Sequence, residues 1–246
     1  MMRIFVAGLG SSSPFDPYGD CTSNYEDYVE FMENPPEFGL VVFTGGEDVD
    51  PALYGETPVY SWFNPKRDKF EMGLFRKCRE HGIPMFGICR GLQFLNVMAG
   101  GKMYQHIEHS FEHKVHTIWD VKVKVNSAHH QLIIPPAGSF VIAWANPNIS
   151  TKYIRDVGGL PAIVSPPEKA VEAAAFPSIK AAGVQWHPEW LTKKSPGKIL
   201  ADAIIDEFLS NKGIISEIWG RARDVGPSQV PANAVEAAVV HRSDEV

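Results

Sequence analysis

Short apolar runs alternate with amphipathic segments along the first half of the chain, and each run ends in glycines or polar residues. The continuous apolar runs are 3–8, 39–46 and 83–88. Continuous runs are typical of strands buried on both faces of a parallel sheet. Between them, residues 23–33 and 66–81 have the pattern of helices, with Ser23 as a candidate N-cap of the first. This alternation predicts an α/β fold of three layers, with a mostly parallel central sheet and helices on both faces.

The second half of the chain has a different pattern, which favours shorter strands. Residues 121–126 alternate between apolar and polar side chains, as expected of a strand with one solvated face. Further elements are predicted as strands at 140–145, 161–165, 171–176 and 182–189, and as a last helix at 196–210. We expect residues 1–212 to form a single domain, and residues 213–246 to be a C-terminal extension that is partly disordered or binds a partner.

Composition and charge narrow the classes of protein and of partner. The chain has 246 residues, 44% of them hydrophobic, and 23 basic against 29 acidic residues give a net charge of −6. Such a composition excludes wholesale disorder, and the mild acidity argues against nucleic acid as a partner. We expect no membrane association, because no apolar run approaches the roughly 20 residues that cross a bilayer. Three cysteines without a CxxC pair suit a reducing, cytoplasmic location.

Three glycine-rich or polar motifs each come directly after a predicted strand. They are TGG at 44–46, GICRG at 87–91 and WHPE at 186–189. In open α/β sheets, binding sites lie at the carboxyl ends of the strands. Three such motifs at one sheet edge therefore predict an active site there.

Cys89 is the candidate nucleophile. It occupies the centre of a G-x-C-x-G sequence between a buried strand and a helix, the context of a nucleophile elbow. The positive end of the helix would stabilise the thiolate, which is the reactive form of cysteine. The alternative, a buried structural cysteine, fits Cys21 and Cys78 better, because neither has flanking glycines in a strand–turn–helix context.

A thiol nucleophile also needs a base, an orienting group and donors for the oxyanion. His187 and Glu189 lie two residues apart just after a strand, so Glu189 could hold the imidazole in the required tautomer. Backbone N–H groups of the Gly45–Gly46 turn and of Arg90 could bind the oxyanion. Taken singly, a surface His–Glu pair and a plain strand-end turn remain alternatives.

Together these motifs resemble the class I glutamine amidotransferase superfamily, which has a flavodoxin-like fold. The resemblance is greatest to its γ-glutamyl hydrolase-like branch, which includes γ-glutamyl-γ-aminobutyrate hydrolases. The matching segments are TGGEDVDPALYGE (44–56), RDKFE (67–71), GICRGLQFLNVMAGGKMYQ (87–105), VNSAHHQ (125–131) and GVQWHPE (183–189). They occur in the family's order and span most of residues 40–190.

The resemblance implies a catalytic triad of Cys89 as nucleophile, His187 as base and acid, and Glu189 as orienting group. It also implies an oxyanion hole and a set of substrate contacts. The oxyanion donors would be Gly46 and Arg90, and the substrate-binding residues would be Gly45, Gln93, Ser127, His129 and His130. No metal and no organic cofactor is implied.

The activity implied is hydrolysis of a γ-glutamyl amide through a γ-glutamyl thioester, which releases glutamate and an amine. An alternative within the same chemistry is a glutaminase subunit that delivers ammonia to a separate synthetase. A catalytically silent binding module on the same fold is a further alternative, disfavoured because every triad position is occupied. The partners expected are a small γ-glutamyl substrate, with a synthetase or a second copy of the chain left open.

Three features depart from the family pattern. The stretch between the first strand and TGG has room for one helix, so we expect the extra strand and helix often found there to be missing. The segment after residue 105 is short and His-rich, and residues past 212 have no counterpart. In that segment His106, His109, His113 and His116 have spacings that would share one helix face, which makes a zinc site near His129 and His130 an alternative.

Overall fold

A computed structural model describes residues 3–7, 20–108, 112–145 and 150–210. In chain order its strands are β1 (Arg3–Ala7), β2 (Asp20–Thr22), β3 (Phe38–Phe43), β4 (Met85–Ile88), β5 (Lys102–Tyr104), β6 (His106–Ile107), β7 (Glu112–Thr117), β8 (Lys122–Asn126), β9 (Leu132–Ile134), β10 (Phe140–Ala145), β11 (Tyr153–Val157), β12 (Leu160–Val164), β13 (Ala170–Phe176) and β14 (Ala181–Val184). The helices are α1 (Tyr25–Glu33), α2 (Pro65–His81), α3 (Arg90–Met98) and α4 (Pro196–Ser210).

The described residues form a nine-stranded central sheet, in the order β2-β1-β3-β4-β14-β13-β10-β7-β8. The pairings from β2 to β14 are all parallel. From β14 to β8 the pairings are antiparallel. Seven of the nine strands consequently point the same way, which confirms the predicted mostly parallel sheet. Smaller sheets are formed by β12-β11-β6 and by β5-β9.

Helices cover both faces of this sheet, as the continuous apolar runs predict. On β3, Leu40 and Val42 face the core that contains α4, whereas Val41 and Phe43 face the core that contains α1, α2 and α3. Alternate side chains of a strand point to opposite faces, so a strand between two helix layers is apolar throughout. Glycines and polar residues begin where β3 ends, and this places the TGG motif at the sheet edge.

Local capping chemistry sets the helix ends. The Asn64 side chain accepts from the backbone N–H groups of Lys66 and Arg67, and α2 ends at Gly82 in the left-handed conformation. At α1 the N-cap is Asn24, whose side chain accepts from Asp27 N–H, so the prediction of Ser23 was wrong by one residue. Serine and asparagine are both common N-cap residues, and only the hydrogen bond from Asp27 N–H shows that Asn24 is the cap.

The structure corrects two expectations about the chain. A short strand, β2, pairs with β1 in the stretch where no extra strand was expected. The described residues of the His-rich segment are strands and not a helix, since His106 belongs to β6 while His113 and His116 belong to β7. The predicted boundary at 212 and the extension 213–246 lie outside the described residues, so they remain predictions. Among the helices described, none combines the length and the apolar character needed to cross a membrane.

Candidate active site

Cys89 lies at the sharp turn between β4 and α3, where it is the residue that precedes the first helical turn. Its φ of 52° is in the left-handed region, which non-glycine residues seldom adopt, and its N–H donates to the Val184 carbonyl at 2.8 Å. Gly91 permits the turn, since a Cβ there would lie 2.0 Å from the carbonyl oxygen of Phe43. The predicted strand–turn–helix context of Cys89 is confirmed.

His187 interacts with both Cys89 and Glu189. Its Nδ1 lies 2.6 Å from Glu189 Oε1. Burial of the ring lowers the pKa of His187, but the interactions with Cys89 and with Glu189 outweigh burial and raise that pKa to about 9. A cationic imidazole at this position stabilises negative charge on the sulfur.

The imidazole of His187 is held on several sides. The indole of Trp190 stacks on it, with ring centroids 3.8 Å apart and planes 4° from parallel. A Cβ on Gly45 would lie 2.7 Å from His187 Cε1, so the TGG turn lies directly against the imidazole. His187 is buried, while Trp190 is 63% exposed and shields the ring from solvent. The structure thus brings Gly45, Cys89, His187 and Glu189 together.

Asn126 contacts the same residue and was not singled out from the sequence. The Asn126 side chain accepts from His187 N–H at 2.8 Å and donates to the His187 carbonyl at 2.9 Å. It is the last residue of β8, at the same sheet edge as the end of β14. Its place inside the VNSAHHQ segment was the only signal in the sequence.

A buried ionic network lies behind the two predicted oxyanion donors. The Arg90 guanidinium pairs with the carboxylates of Asp68 and Glu71 on α2, and all three side chains are nearly inaccessible. Burial raises the pKa of Asp68 to about 6, although the nearby charge of Arg90 acts to lower it. Arg67, one helical turn before Glu71, also pairs with it. Three of these residues, Arg67, Asp68 and Glu71, belong to the RDKFE segment, whose individual roles the sequence did not reveal.

Gln93 and His129, both predicted to bind substrate, share one contact. Gln93 Nε2 donates to the Gln131 carbonyl at 3.4 Å and to Gln185 Oε1 at 3.3 Å. His129 Nδ1 lies 2.8 Å from the same Gln131 carbonyl, so that nitrogen carries the proton. Ser127 is buried in the same loop. The roles of Gln93, Ser127 and His129 as substrate contacts stay predictions.

His130, the remaining predicted contact, lies at the rim of this region. Its Nε2 is 3.0 Å from Asp48 Oδ1, and Asp48 follows the TGG turn by two residues. The exposed ring of Trp62 lies beside the imidazole, with centroids 5.5 Å apart. His106 contacts His130 from the other side, Nδ1 to Nδ1 at 3.4 Å. His130 therefore joins the loop after β8 to the loop after β3.

The zinc alternative finds no support among the residues that the structure describes, which contain no group of three or more potential ligands. His113 faces the buried Glu172 carboxylate at 3.3 Å, while His116 lies beside Asp120 on the β7–β8 turn. Because His113 and His116 lie three residues apart on a strand, their side chains point to opposite faces of the sheet and do not share one face as they would on a helix. His109 lies outside the described residues.

Comparison with known proteins establishes the family. The Peptidase C26 family model matches residues 22–189. The chain belongs to the Peptidase C26 family. A Lactococcus lactis subsp. lactis protein named as glutamine amidotransferase-like, YvdE, is 32% identical over 186 residues, which are 73% of this chain and 76% of that protein. As predicted, this member of the Peptidase C26 family falls in the class I glutamine amidotransferase-like superfamily.

Two further comparisons concern the branch and the fold. The γ-glutamyl-γ-aminobutyrate hydrolase PuuD of Escherichia coli strain K12 is 31% identical over 165 residues, which are 62% of this chain and 64% of that enzyme. The glutaminase domain of Trypanosoma brucei CTPS shares the fold, with a TM-score of 0.53 at 14% identity over 87% of this chain and 95% of that one. This Peptidase C26 member is thus a glutamine amidotransferase-like hydrolase with the predicted fold.

Proposed function

We propose that the protein hydrolyses γ-glutamyl amide bonds through a thioester on Cys89, with His187 as acid and base and Glu189 as the group that orients it. The observation that carries the proposal is the placement of His187 between its two partners: its Nδ1 lies 2.6 Å from Glu189 Oε1, and interaction with Cys89 as well as with Glu189 raises its pKa. A nucleophile, a base and an orienting carboxylate in that order are what acyl transfer requires. The similarity to γ-glutamyl-γ-aminobutyrate hydrolases supports the γ-glutamyl group as the acyl part.

The first half-reaction transfers the acyl group to the enzyme. The Cys89 sulfur attacks the γ-carbonyl carbon, a C–S bond forms, and the carbonyl oxygen becomes an oxyanion. As this intermediate collapses the C–N bond breaks, and the departing nitrogen takes a proton from the His187 imidazolium. The raised pKa of His187, about 9, keeps that proton available at neutral pH.

The oxyanion would be stabilised by backbone N–H groups of Gly46 and Arg90. Arg90 is the first residue of α3, so its N–H belongs to the end of the helix that carries partial positive charge. Fixed donors of this kind need no reorganisation when the charge develops. Gly45, next to Gly46, lies against His187, so the loop and the base occupy one site.

The second half-reaction releases glutamate. Water attacks the thioester carbonyl carbon and gives its proton to His187, which is neutral after the first step. The C–S bond then breaks, and the Cys89 thiolate leaves beside the imidazolium. Glu189 stabilises that cation throughout without accepting its proton.

Glutamate release from a panel of γ-glutamyl-amines, γ-glutamyl amino acids and glutamine tests this function. We expect the protein alone to release glutamate from γ-glutamyl-amines, with Cys89→Ala inactive and the matched control Cys78→Ala active. Cys78 is buried within α2, away from the triad. Turnover that is limited to glutamine and that requires an added synthetase would favour an ammonia-donating subunit. No turnover of any γ-glutamyl compound would refute the proposal.

A further inference from the structure

Arg67 and Glu71 contact the two segments from which the proposed oxyanion hole is built. We propose that they are positioning residues, which fix the two oxyanion donors relative to each other. The inference rests on the proposed function, because it concerns the geometry of that same site. Neither side chain needs to touch substrate for this role.

Arg67 holds the TGG turn through its carbonyl groups. Its NH2 group donates to the Thr44 carbonyl at 3.0 Å and to the Gly45 carbonyl at 2.9 Å. The guanidinium lies so close to Gly46 that a Cβ there would be 1.9 Å from Arg67 NH1. Gly46 also has a φ of 144°, a backbone conformation that favours glycine. The turn is therefore shaped to receive this guanidinium.

These contacts fix the direction of the Gly46 N–H. In a trans peptide unit the carbonyl and the following N–H point in opposite directions. Because the Gly45 carbonyl points at Arg67, the Gly46 N–H of the same peptide unit points away from Arg67. A Cβ on Gly45 would meet His187, whereas a Cβ on Gly46 would meet Arg67, so we place Arg67 on the side of the turn away from the reacting atoms.

Glu71 connects this turn to the nucleophile elbow. One oxygen of its carboxylate accepts from Arg67 Nε at 2.9 Å, and the other accepts from Arg90 NH1. Arg90 supplies the second oxyanion donor through its backbone N–H. A chain of two guanidinium groups and one carboxylate thus joins the Gly45–Gly46 peptide to the first residue of α3.

Burial and charge indicate a geometric role for this chain of contacts. The Glu71 and Arg90 side chains are each 1% exposed. Buried ion pairs cost desolvation energy that their attraction often only balances, so such a network is weak evidence for stability. It does supply rigid, directional contacts, because a planar guanidinium binds carboxylate and carbonyl oxygens at fixed angles.

The test compares Glu71→Gln and Arg67→Lys with wild type, using Glu80→Gln on the exposed face of α2 as the matched control. Two rates are measured for each: γ-glutamyl amide hydrolysis, and alkylation of Cys89 by iodoacetamide. Alkylation uses the thiolate but forms no oxyanion, so it reports the Cys89–His187 pair separately. Arg67→Lys keeps the positive charge but loses the planar guanidinium with its fixed set of N–H donors, so this variant separates geometry from electrostatics.

We expect kcat to fall about 100-fold in Glu71→Gln and in Arg67→Lys, with KM and the alkylation rate close to wild type. Glu80→Gln should match wild type in every rate. Hydrolysis near the wild-type rate in both variants would overturn the inference and leave the proposed function intact. Equal losses of hydrolysis and alkylation would also overturn it, since they indicate general damage to the site. A wild-type protein that releases no glutamate would instead refute the proposed function.

Discussion

Asn126 binds both backbone polar groups of His187, accepting from its N–H at 2.8 Å and donating to its carbonyl at 2.9 Å. The two residues lie on segments whose strands, β8 and β14, have three other strands between them in the sheet. The end of the outer strand β8 thus contacts His187, the proposed general base, near the centre of the sheet. The amide orients the peptide of His187, while Glu189 orients its ring.

Asn126→Leu should impair catalysis through His187 without touching the reacting atoms. The leucine is close in size to asparagine but can make neither hydrogen bond, so the imidazole would lose its registry with Cys89. We expect kcat to fall about 100-fold with little change in KM, because misplacement on the scale of 1 Å costs that much. Steady-state kinetics measures this effect. Lys124→Ala, at an exposed position on β8, is the control, and equal losses in both would point to damage of the strand.

The raised pKa of His187 predicts an alkaline limit to activity. Acylation needs the imidazolium, so kcat/KM should fall as pH rises through about 9. Since this pKa lies above the ordinary value of 6.5, the interaction stabilises the fold fully below about pH 6.5, and this stabilisation is lost as pH rises through about 9. Glu189→Gln removes one cause of the raised pKa and should move the limit to lower pH. A limit that stays in place would show that Glu189 does not set the protonation of His187.

Two glycine substitutions in neighbouring helices should have opposite effects on stability. Gly91→Ala places a Cβ 2.0 Å from the Phe43 carbonyl oxygen, a backbone atom that cannot move without shifting β3. We expect a loss of about 1–3 kcal/mol in the free energy of unfolding. Gly73→Ala in α2 meets nothing within 4 Å and should gain about 0.5–1 kcal/mol from helix propensity. Denaturant unfolding measures both, and similar changes in the two variants would contradict the tight contact at Gly91.

Cysteine alkylation should distinguish Cys89 from Cys78. Burial raises the pKa of Cys78, so its reactive thiolate is scarce near neutral pH. Cys89 interacts with the His187 imidazole and lies at the N-terminus of α3. Iodoacetamide labelling followed by peptide mass analysis should therefore find Cys89 modified first. Equal rates at the two cysteines would contradict activation of Cys89.

Local sequence features were enough to predict the parallel half of the sheet and the strand–turn–helix context of Cys89. Continuous apolar runs ending in glycine identify buried strands, and the residues after them identify the sheet edge that holds His187. The three-residue strand β2 is too short to show periodicity. Strand β11 mixes buried and half-exposed residues, so it has no clear pattern either.

The contacts that orient the site could not be predicted from the sequence, for a different reason. Asn126 and His187 are 61 residues apart, and Arg67 lies 22 residues from Gly45. Such pairs depend on how strands and helices are arranged in space, which no local pattern encodes. The same holds for the His-rich segment, where spacings of three and four suit a helix face and only the pairing of β7 with β8 and β10 shows that residues 112–117 are a strand.

Trapping the covalent intermediate tests the central claim most directly. The protein is mixed with a γ-glutamyl amide that it turns over, quenched in acid during turnover, digested and analysed by mass spectrometry. We predict a γ-glutamyl group in thioester linkage on the peptide that contains Cys89, removed by hydroxylamine and absent from Cys89→Ala. A γ-glutamyl adduct on another residue, or full glutamate release by Cys89→Ala, would contradict the account.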